Sequence, residues 1–327
     1  MRQVKWGVLG CGNIAHQFAQ SIAKVDSGII YAVASNTSNK AKLFAEQYDI
    51  NHYYTGYNDL VNNENIDAIY IATPHSFHHQ HTTLCLEHHK HVLCEKPLTI
   101  NANQATELIS SARDKQLFLM EAVWTRFLPA IEALQGMINE GVIGEIHTVK
   151  AHFGITGEFE PTHRLMNKKL AGGALLDLGI YPITLAHLVF NALPTTIKSS
   201  AVIGETGIDE SSIYLFEYNQ KQRAILSSSI NDHAPTEAFI SGSAGYIHIP
   251  NFLGAKEIHV YDKEGNKKTF NFPRMEKDNF VAEIEHSNQC ILNQQVESPI
   301  HPLKNTLNML NIMDNLREQW GLEYDEE

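Results

Sequence analysis

Three side chains able to do chemistry stand where the surrounding chain has little structural use for them. Asp177 lies inside the apolar run of GGALLDLGIYP (172–182), and Tyr181 follows four residues later, just before Pro182. A carboxylate taken into apolar surroundings must be paired or neutralised. If the segment is helical, the phenol of Tyr181 shares its face. Lys96 follows the apolar run HVLC (91–94) within Glu95-Lys96-Pro97. An amine, a phenol and a carboxylate together suit an alcohol. Hydride loss from a CH–OH carbon needs an acceptor for the hydroxyl proton, and a phenol whose phenolate is favoured by a cation can serve. A carboxylate beside a phenol raises its pKa, whereas an ammonium lowers it. The proton acceptor is therefore assigned to Tyr181, the cation to Lys96, and an orienting or tuning role to Asp177. The plainer alternative makes Asp177 a helix cap, Tyr181 a core ring and Lys96 a solvated turn residue.

A hydride needs somewhere to go. Gly10-Cys11-Gly12-Asn13-Ile14-Ala15 lies between the apolar run VKWGVL (4–9) and a helical pattern. Gly10 permits a tight turn, Gly12 lets backbone approach a pyrophosphate, and Ala15 permits close packing of helix on strand. Asn13 and Ile14 open the helix whose N-terminus faces the phosphates. The second apolar run ends at Ser35-Asn36-Thr37, and no acid lies between Val33 and Lys40. An NAD site usually carries an acid there for the ribose diol. Ser35, Asn36, Thr37 and Lys40 instead offer donors and charge for a 2′-phosphate. NADP is the expected cofactor, with NAD use left open. Lys-Pro at 96–97 can be cis and would give a fixed turn. Glu95 pairs with Lys96 or braces that turn, and both are counted on the cofactor side.

These residues need a frame. Apolar runs at 4–9, 29–35, 66–73, 91–95 and 117–122 alternate with helical patterns, while 54–63 reads as a turn and short helix. Nearly all-apolar strands alternating with helices mean a parallel sheet covered on both faces. After residue 122 the rhythm changes to short strands with period-two alternation, as in IHTVKAHF and IYLFEY. That predicts a mainly antiparallel sheet with one wet face. The expected fold is α/β: an N-terminal Rossmann domain over 1–122 and a C-terminal α+β domain with a large open sheet over 123–300. The amphipathic helix in 301–327 is expected to return to the first domain. Within the second domain, 173–190 and 280–292 read as helices. Trp124, Arg126, Phe127, Phe153 and Phe280 supply an aromatic wall suited to an alicyclic diol or a pyranose face. Core packing is the plainer use of these rings.

The chain has 327 residues and a formal charge of -12, enough for two domains and unsuited to a general nucleic-acid or anionic-membrane role. The opening residues run straight into a strand pattern, so no export signal is expected. Four cysteines without framework or zinc spacing fit a reducing cytoplasm. His78, His79, His81, His88, His89 and His91 crowd one region. A helix with exposed histidines explains them without a metal, and none is expected, because a nicotinamide accepts hydride without a Lewis acid.

GVLGCGNIA (7–15), HVLCEKPL (91–98), EAVWTRFLP (121–129) and GGALLDLGIYP (172–182) together carry a resemblance to the Gfo/Idh/MocA oxidoreductases over essentially the whole chain. Within that family the chain is most similar to the dihydrodiol dehydrogenase and NADP-dependent xylose dehydrogenase branch. The resemblance implies a cis Lys96-Pro97 bond and dimerisation through the open sheet. It implies Lys96 and Asp177 as site residues, and Tyr181 as acid/base where many sugar-acting relatives carry histidine. It also implies a nicotinamide near Thr73, Pro74 and His78, although His75 stands where many members have asparagine. The function so expected is NADP-dependent oxidation of a vicinal diol or a cyclic sugar hydroxyl. The alternatives are an NAD(P)-dependent enzyme of another sugar, inositol or imine, and a non-catalytic NADP-binding sensor.

Overall fold

The computed structural model describes residues 2–273 and 279–325. The chain forms two compact units, Met1–Trp124 with Met275–Leu307, and Thr125–Arg274 with Asn308–Glu327.

In the first unit six strands form one sheet: β1 (Val4–Leu9), β2 (Gly28–Ser35), β3 (His52–Thr55), β4 (Ala68–Ile71), β5 (His91–Glu95) and β6 (Leu119–Ala122). Their order is β3-β2-β1-β4-β5-β6, and every pairing is parallel. Helices α1 (Asn13–Ile22), α2 (Ser38–Gln47), α3 (Asn58–Val61), α4 (His78–Glu87) and α5 (Ala102–Asp114) make the crossovers. The direction of winding reverses between β1 and β4, which opens a crevice beyond their carboxyl ends. The Rossmann fold read from patterning is present. It includes one strand that patterning missed: β3 occupies part of what reads as a turn, and pairs with residues 32–35 of β2. As an edge strand with mostly exposed side chains it lacks the continuous apolar run of its neighbours.

The second unit holds an eight-stranded sheet of β7 (Ile146–Gly154), β8 (Thr196–Ile203), β9 (Asp209–Glu217), β10 (Arg223–Ser229), β11 (Ala238–Gly242), β12 (Gly245–Ile249), β13 (Glu257–Asp262) and β14 (Lys267–Asn271). The order is β14-β13-β12-β11-β7-β10-β9-β8. All neighbours are antiparallel except β7 and β10. One face is apolar and buried, with Val149, Tyr214, Phe216, Leu226 and Ile240 among its side chains. Helix α6 (Pro129–Asn139) belongs to this unit. So does α7 (Ile180–Phe190), which packs on β7 and β10. Segment Lys168–Phe190 is apolar enough to pass for a membrane span but is 89% buried, as a core helix is.

Two expectations change. Segment 173–190 is not one regular α-helix: Leu175–Gly179 is π-helical and leads into α7. Pro182 has no N–H for the carbonyl one turn back, and it follows the stretch where the hydrogen-bond ladder has already shifted register. Helix α8 (Val281–Leu292) packs with the first unit, although strand patterning places it in the 123–300 block. The cause is a buried polar contact: the Trp6 indole donates to Asn288 Oδ1 at 2.8 Å, and Asn288 Nδ2 donates to Ser27 Oγ at 3.0 Å. A side chain at Gly28 would lie 2.6 Å from that amide, so glycine lets α8 seat there. Helix α9 (Leu303–Trp320) begins in the first unit and continues in the second.

Candidate active site

In the first unit the glycine turn follows β1. Gly10 has φ +101°, and a side chain there would press on the Ala72 carbonyl at 2.9 Å. Gly12 caps α1, and its missing Cβ faces only the Ala72 carbonyl at 3.9 Å, so the space above it is open. No side chain caps α1, and its first turn carries no acid. A small-residue cradle under uncapped amides fits a pyrophosphate. Ala15 is fully buried, as close helix–strand packing requires, while Asn13 is exposed and Ile14 half-buried. The end of β2 meets this turn: Gly10 N–H donates to the Ala34 carbonyl at 2.9 Å. The Thr37 amide lies 3.3 Å from Ser35 Oγ, and α2 has no acid in its first turn. Burial pushes the Cys11 thiol up to about 11, and the nearby positive charge of Lys40 partly opposes this. The charge of Lys40 is thus felt at the glycine turn.

The loop after β4 and the turn after β5 lie at the same edge of the sheet. Lys96-Pro97 is cis. From Val92 to Ile100 every residue except Lys96 is buried. Glu95 is hydrogen-bonded by the Tyr70 hydroxyl. His78 is fully buried, with Nδ1 2.7 Å from the Pro97 carbonyl oxygen and Nε2 2.8 Å from that of Thr73. Burial foremost, helped by the charge of His75, pushes its pKa down to about 3. The neutral ring has one N–H, which it can give to one of the two carbonyls. His78 therefore sits between the Thr73-Pro74 loop and the lysine turn and is hydrogen-bonded to one of them. His81 Nδ1 lies 3.0 Å from Thr73 Oγ1, and burial lowers its pKa to about 4. Trp124 meets Phe280 edge-on at 6.0 Å.

In the second unit Asp177 sits in the π-helical turn and is buried. Arg164 binds it in bidentate fashion, with two contacts of 3.1 Å. That partner is missed by sequence reasoning: Arg164 lies in an irregular loop whose pattern points nowhere. Tyr181 begins α7 one turn later and meets the Phe153 ring edge-on at 5.8 Å. Arg126 and Phe127 are buried, and burial pushes the Arg126 guanidinium down to about 10. The glycines flanking Asp177 admit this unit's own side chains. A Cβ at Gly173 would lie 2.2 Å from Asp209 Oδ1, and one at Gly179 would lie 2.6 Å from the Tyr214 hydroxyl. Asp209 Oδ2 accepts the Leu175 N–H at 2.7 Å. Tyr214 bonds to Ser212 at 2.8 Å and to Ser228. Buried polar groups thus brace both ends of the turn that presents Asp177. Among the described residues no group of three His, Cys, Asp or Glu side chains is arranged to hold a metal ion.

The first unit carries a parallel nucleotide-binding sheet with a half-buried lysine at its carboxyl edge, and the second carries a carboxylate and a phenol one turn apart; these are the parts of a dehydrogenase. Residues 4–123 match the oxidoreductase family with an NAD-binding Rossmann fold, and residues 131–248 match the GFO/IDH/MocA C-terminal domain. The chain belongs to the Gfo/Idh/MocA oxidoreductases. It is 35% identical to a trans-1,2-dihydrobenzene-1,2-diol dehydrogenase from Xenopus tropicalis, over 98% of this chain and 99% of that one. The human protein of the same name is 32% identical over 99% of each chain. A 3-ketoreductase from Actinomadura kijaniata, solved with NADP and TDP-benzene, superposes with a TM-score of 0.87. It is 27% identical and is matched over 97% of this chain and 98% of its own.

The buried Asp209 makes stability depend on pH. Desolvation by burial raises its pKa from 3.8 to about 7, against the opposing Leu175 amide, its own backbone amide, Ser212 and Arg317. The folded state then holds a proton that the unfolded chain releases near pH 4. Asp209's contribution to stability is whole below about pH 4, is lost as pH rises to about 7, and amounts to on the order of 4 kcal/mol. Asp209→Asn keeps an oxygen for the Leu175 N–H but cannot ionise. Its melting temperature is expected to fall less than that of the unaltered protein between pH 5 and pH 8. Parallel thermal-unfolding curves across that range would show that Asp209 ionises normally.

Proposed function

We propose that this chain oxidises a vicinal diol or cyclic sugar hydroxyl reversibly with NADP, using Lys96, Asp177 and Tyr181. The observation that carries this reading is full-length similarity to dihydrobenzenediol dehydrogenases in a chain that carries all three groups. When bound, NADP supplies the hydride acceptor. Lys96 holds the reacting hydroxyl, and its ammonium favours the phenolate of Tyr181. Tyr181 takes the hydroxyl proton as the carbonyl forms and returns it in reduction. Asp177, held by Arg164, orients the second hydroxyl of the diol. Trp124, Arg126, Phe127, Phe153 and Phe280 form the aromatic and basic wall against the substrate ring. Glycines 10 and 12 with Asn13, Ile14 and Ala15 take the pyrophosphate. Thr73, Pro74 and Glu95 line the nicotinamide side, and His78 acts there through the backbone carbonyl it is hydrogen-bonded to.

The preference for NADP rests on the absence of an acid after β2 and the presence of Ser35, Asn36, Thr37 and Lys40 there. The related 3-ketoreductase was solved with NADP. For the oligomer we propose a homodimer through the outer face of the eight-stranded sheet. That face exposes Ile213 at 62% and Ile225 at 47%, with Phe239 stacked on His248 at 4.3 Å and Tyr246 on Tyr261 at 4.5 Å. Exposed apolar and aromatic side chains, here interspersed with Lys150 and Lys198, are a common feature of association surfaces. We place the protein in the cytoplasm, in line with its four free cysteines.

Tyr181→Phe should lower kcat on trans-dihydrodiols or xylose by about 10²–10⁴-fold while NADP still binds. Lys96→Met should lower kcat and shift the pH dependence of turnover. Unaltered kcat in both variants would reject the assignment. Catalytic efficiency should be about tenfold or more higher with NADP than with NAD, as expected for one charge-assisted contact to the 2′-phosphate. A preference for NAD would remove that part of the proposal. Ile225→Glu should convert a dimer to monomers in sedimentation velocity, and a monomeric parent protein would exclude the interface.

A further inference from the structure

We infer that Glu121 is a positioning residue for Lys96, acting through the backbone of the turn that follows it. The inference rests on the role proposed for Lys96. Glu121 lies on β6, beside the last residues of β5, and is 1% exposed. Its Oε1 accepts the Leu98 N–H at 3.0 Å, two residues beyond Lys96. Its Oε2 accepts from Thr306 Oγ1 at 2.8 Å and lies 3.1 Å from His301 Nε2. Both partners are buried and belong to the segment that returns to the first unit. Burial pushes the Glu121 carboxyl up, but hydrogen bonds from His301, Thr306 and Leu98 outweigh it and leave the group below its ordinary pKa. It is a fixed carboxylate with both oxygens engaged.

The lysine turn is held at each residue around Lys96. Glu95 is bonded to Tyr70, the Pro97 carbonyl faces His78, and the Leu98 amide goes to Glu121. The first two partners come from β4 and α4, neighbours of the turn within the Rossmann crossover. Glu121 passes the position of the C-terminal segment to the turn through His301 and Thr306. A second buried acid, Glu283, lies near Glu95 and Glu121. Burial first, then those two charges, raises its pKa well above the ordinary range. Moving the turn by a fraction of an ångström would move the Lys96 ammonium with it. Such misplacement costs rate rather than cofactor binding.

The test is a double-mutant cycle on the full chain, assayed with NADP and a trans-dihydrodiol. Glu121→Leu removes the acceptor and leaves the Leu98 N–H buried without one. It should lower kcat about 10–100-fold, in line with a misplaced reacting group, and shift the pH profile of kcat, with the NADP dissociation constant unchanged. Glu121→Gln keeps an acceptor oxygen and should recover most of that loss. In a Lys96→Met background the same Glu121→Leu change should have almost no further effect, because its action passes through the missing amine. If Glu121→Leu does not fold, Thr306→Val, which releases one partner of Oε2, should lower kcat several-fold and shift the same pH profile. A Lys96→Met enzyme of full activity would overturn the role of Lys96 and this inference with it. An inactive Lys96→Met enzyme beside a folded Glu121→Leu enzyme of unaltered kcat and pH profile would overturn the inference alone. So would full additivity of the two changes, or an unaltered Thr306→Val where Glu121→Leu fails to fold.

Discussion

A carboxylate withdrawn from water must be met by donors, and in the first unit that requirement shapes the end of the sheet. Glu121 is met by Leu98, His301 and Thr306, so one buried charge joins a strand, the lysine turn and the start of α9. Leaving such a charge with one donor fewer costs more than its pairing gains. Glu95 obeys the same rule through Tyr70. The outcome is a turn in which Lys96 is half-buried while its neighbours are locked in the core. A point charge on a flexible stem needs a rigid base if its head is to serve one geometry.

The second unit solves the same problem with a different element. Asp177 is carried on a π-helical turn, wider than an α-helix, whose first amide is taken by Asp209 and whose last residue rests on Tyr214 and Ser228. Arg164 then fixes the carboxylate from the loop side. Asp209 is an expensive support: its second oxygen, Oδ1, has no hydrogen-bond partner among the described residues, and its pKa is displaced to about 7. Unsatisfied buried polar atoms of this kind concentrate where a local geometry is kept for use rather than for stability.

Much of this was legible from residue order. The parallel half was readable because strands covered on both faces are apolar throughout, which marks β1, β2, β4, β5 and β6. β3 escaped because an exposed edge strand lacks that signature. The glycine turn was readable because Gly10 needs a positive φ that few other residues adopt. The helix after Gly173 was readable in extent, but its π-helical start was not. Periodicity averages over a turn and is insensitive to one shifted hydrogen bond. Gly172, Gly173 and Gly179 are approached by Arg164, Leu165, Asp209 and Tyr214 of the same unit, which no local pattern records.

By itself the sequence determined the Rossmann topology, the mainly antiparallel sheet and the glycine turn after β1, and it put forward Lys96, Asp177 and Tyr181 as candidate site side chains. Each depends on residues near one another in the chain. Only the tertiary structure decided what holds those side chains. Arg164 and Asp177 are 13 residues apart, Leu175 and Asp209 are 34 apart, and Glu121 and His301 are 180 apart. A pattern of apolar and polar residues records which face is buried. It does not record which distant donor a buried acid will find, because that choice is made by packing once the layers have closed.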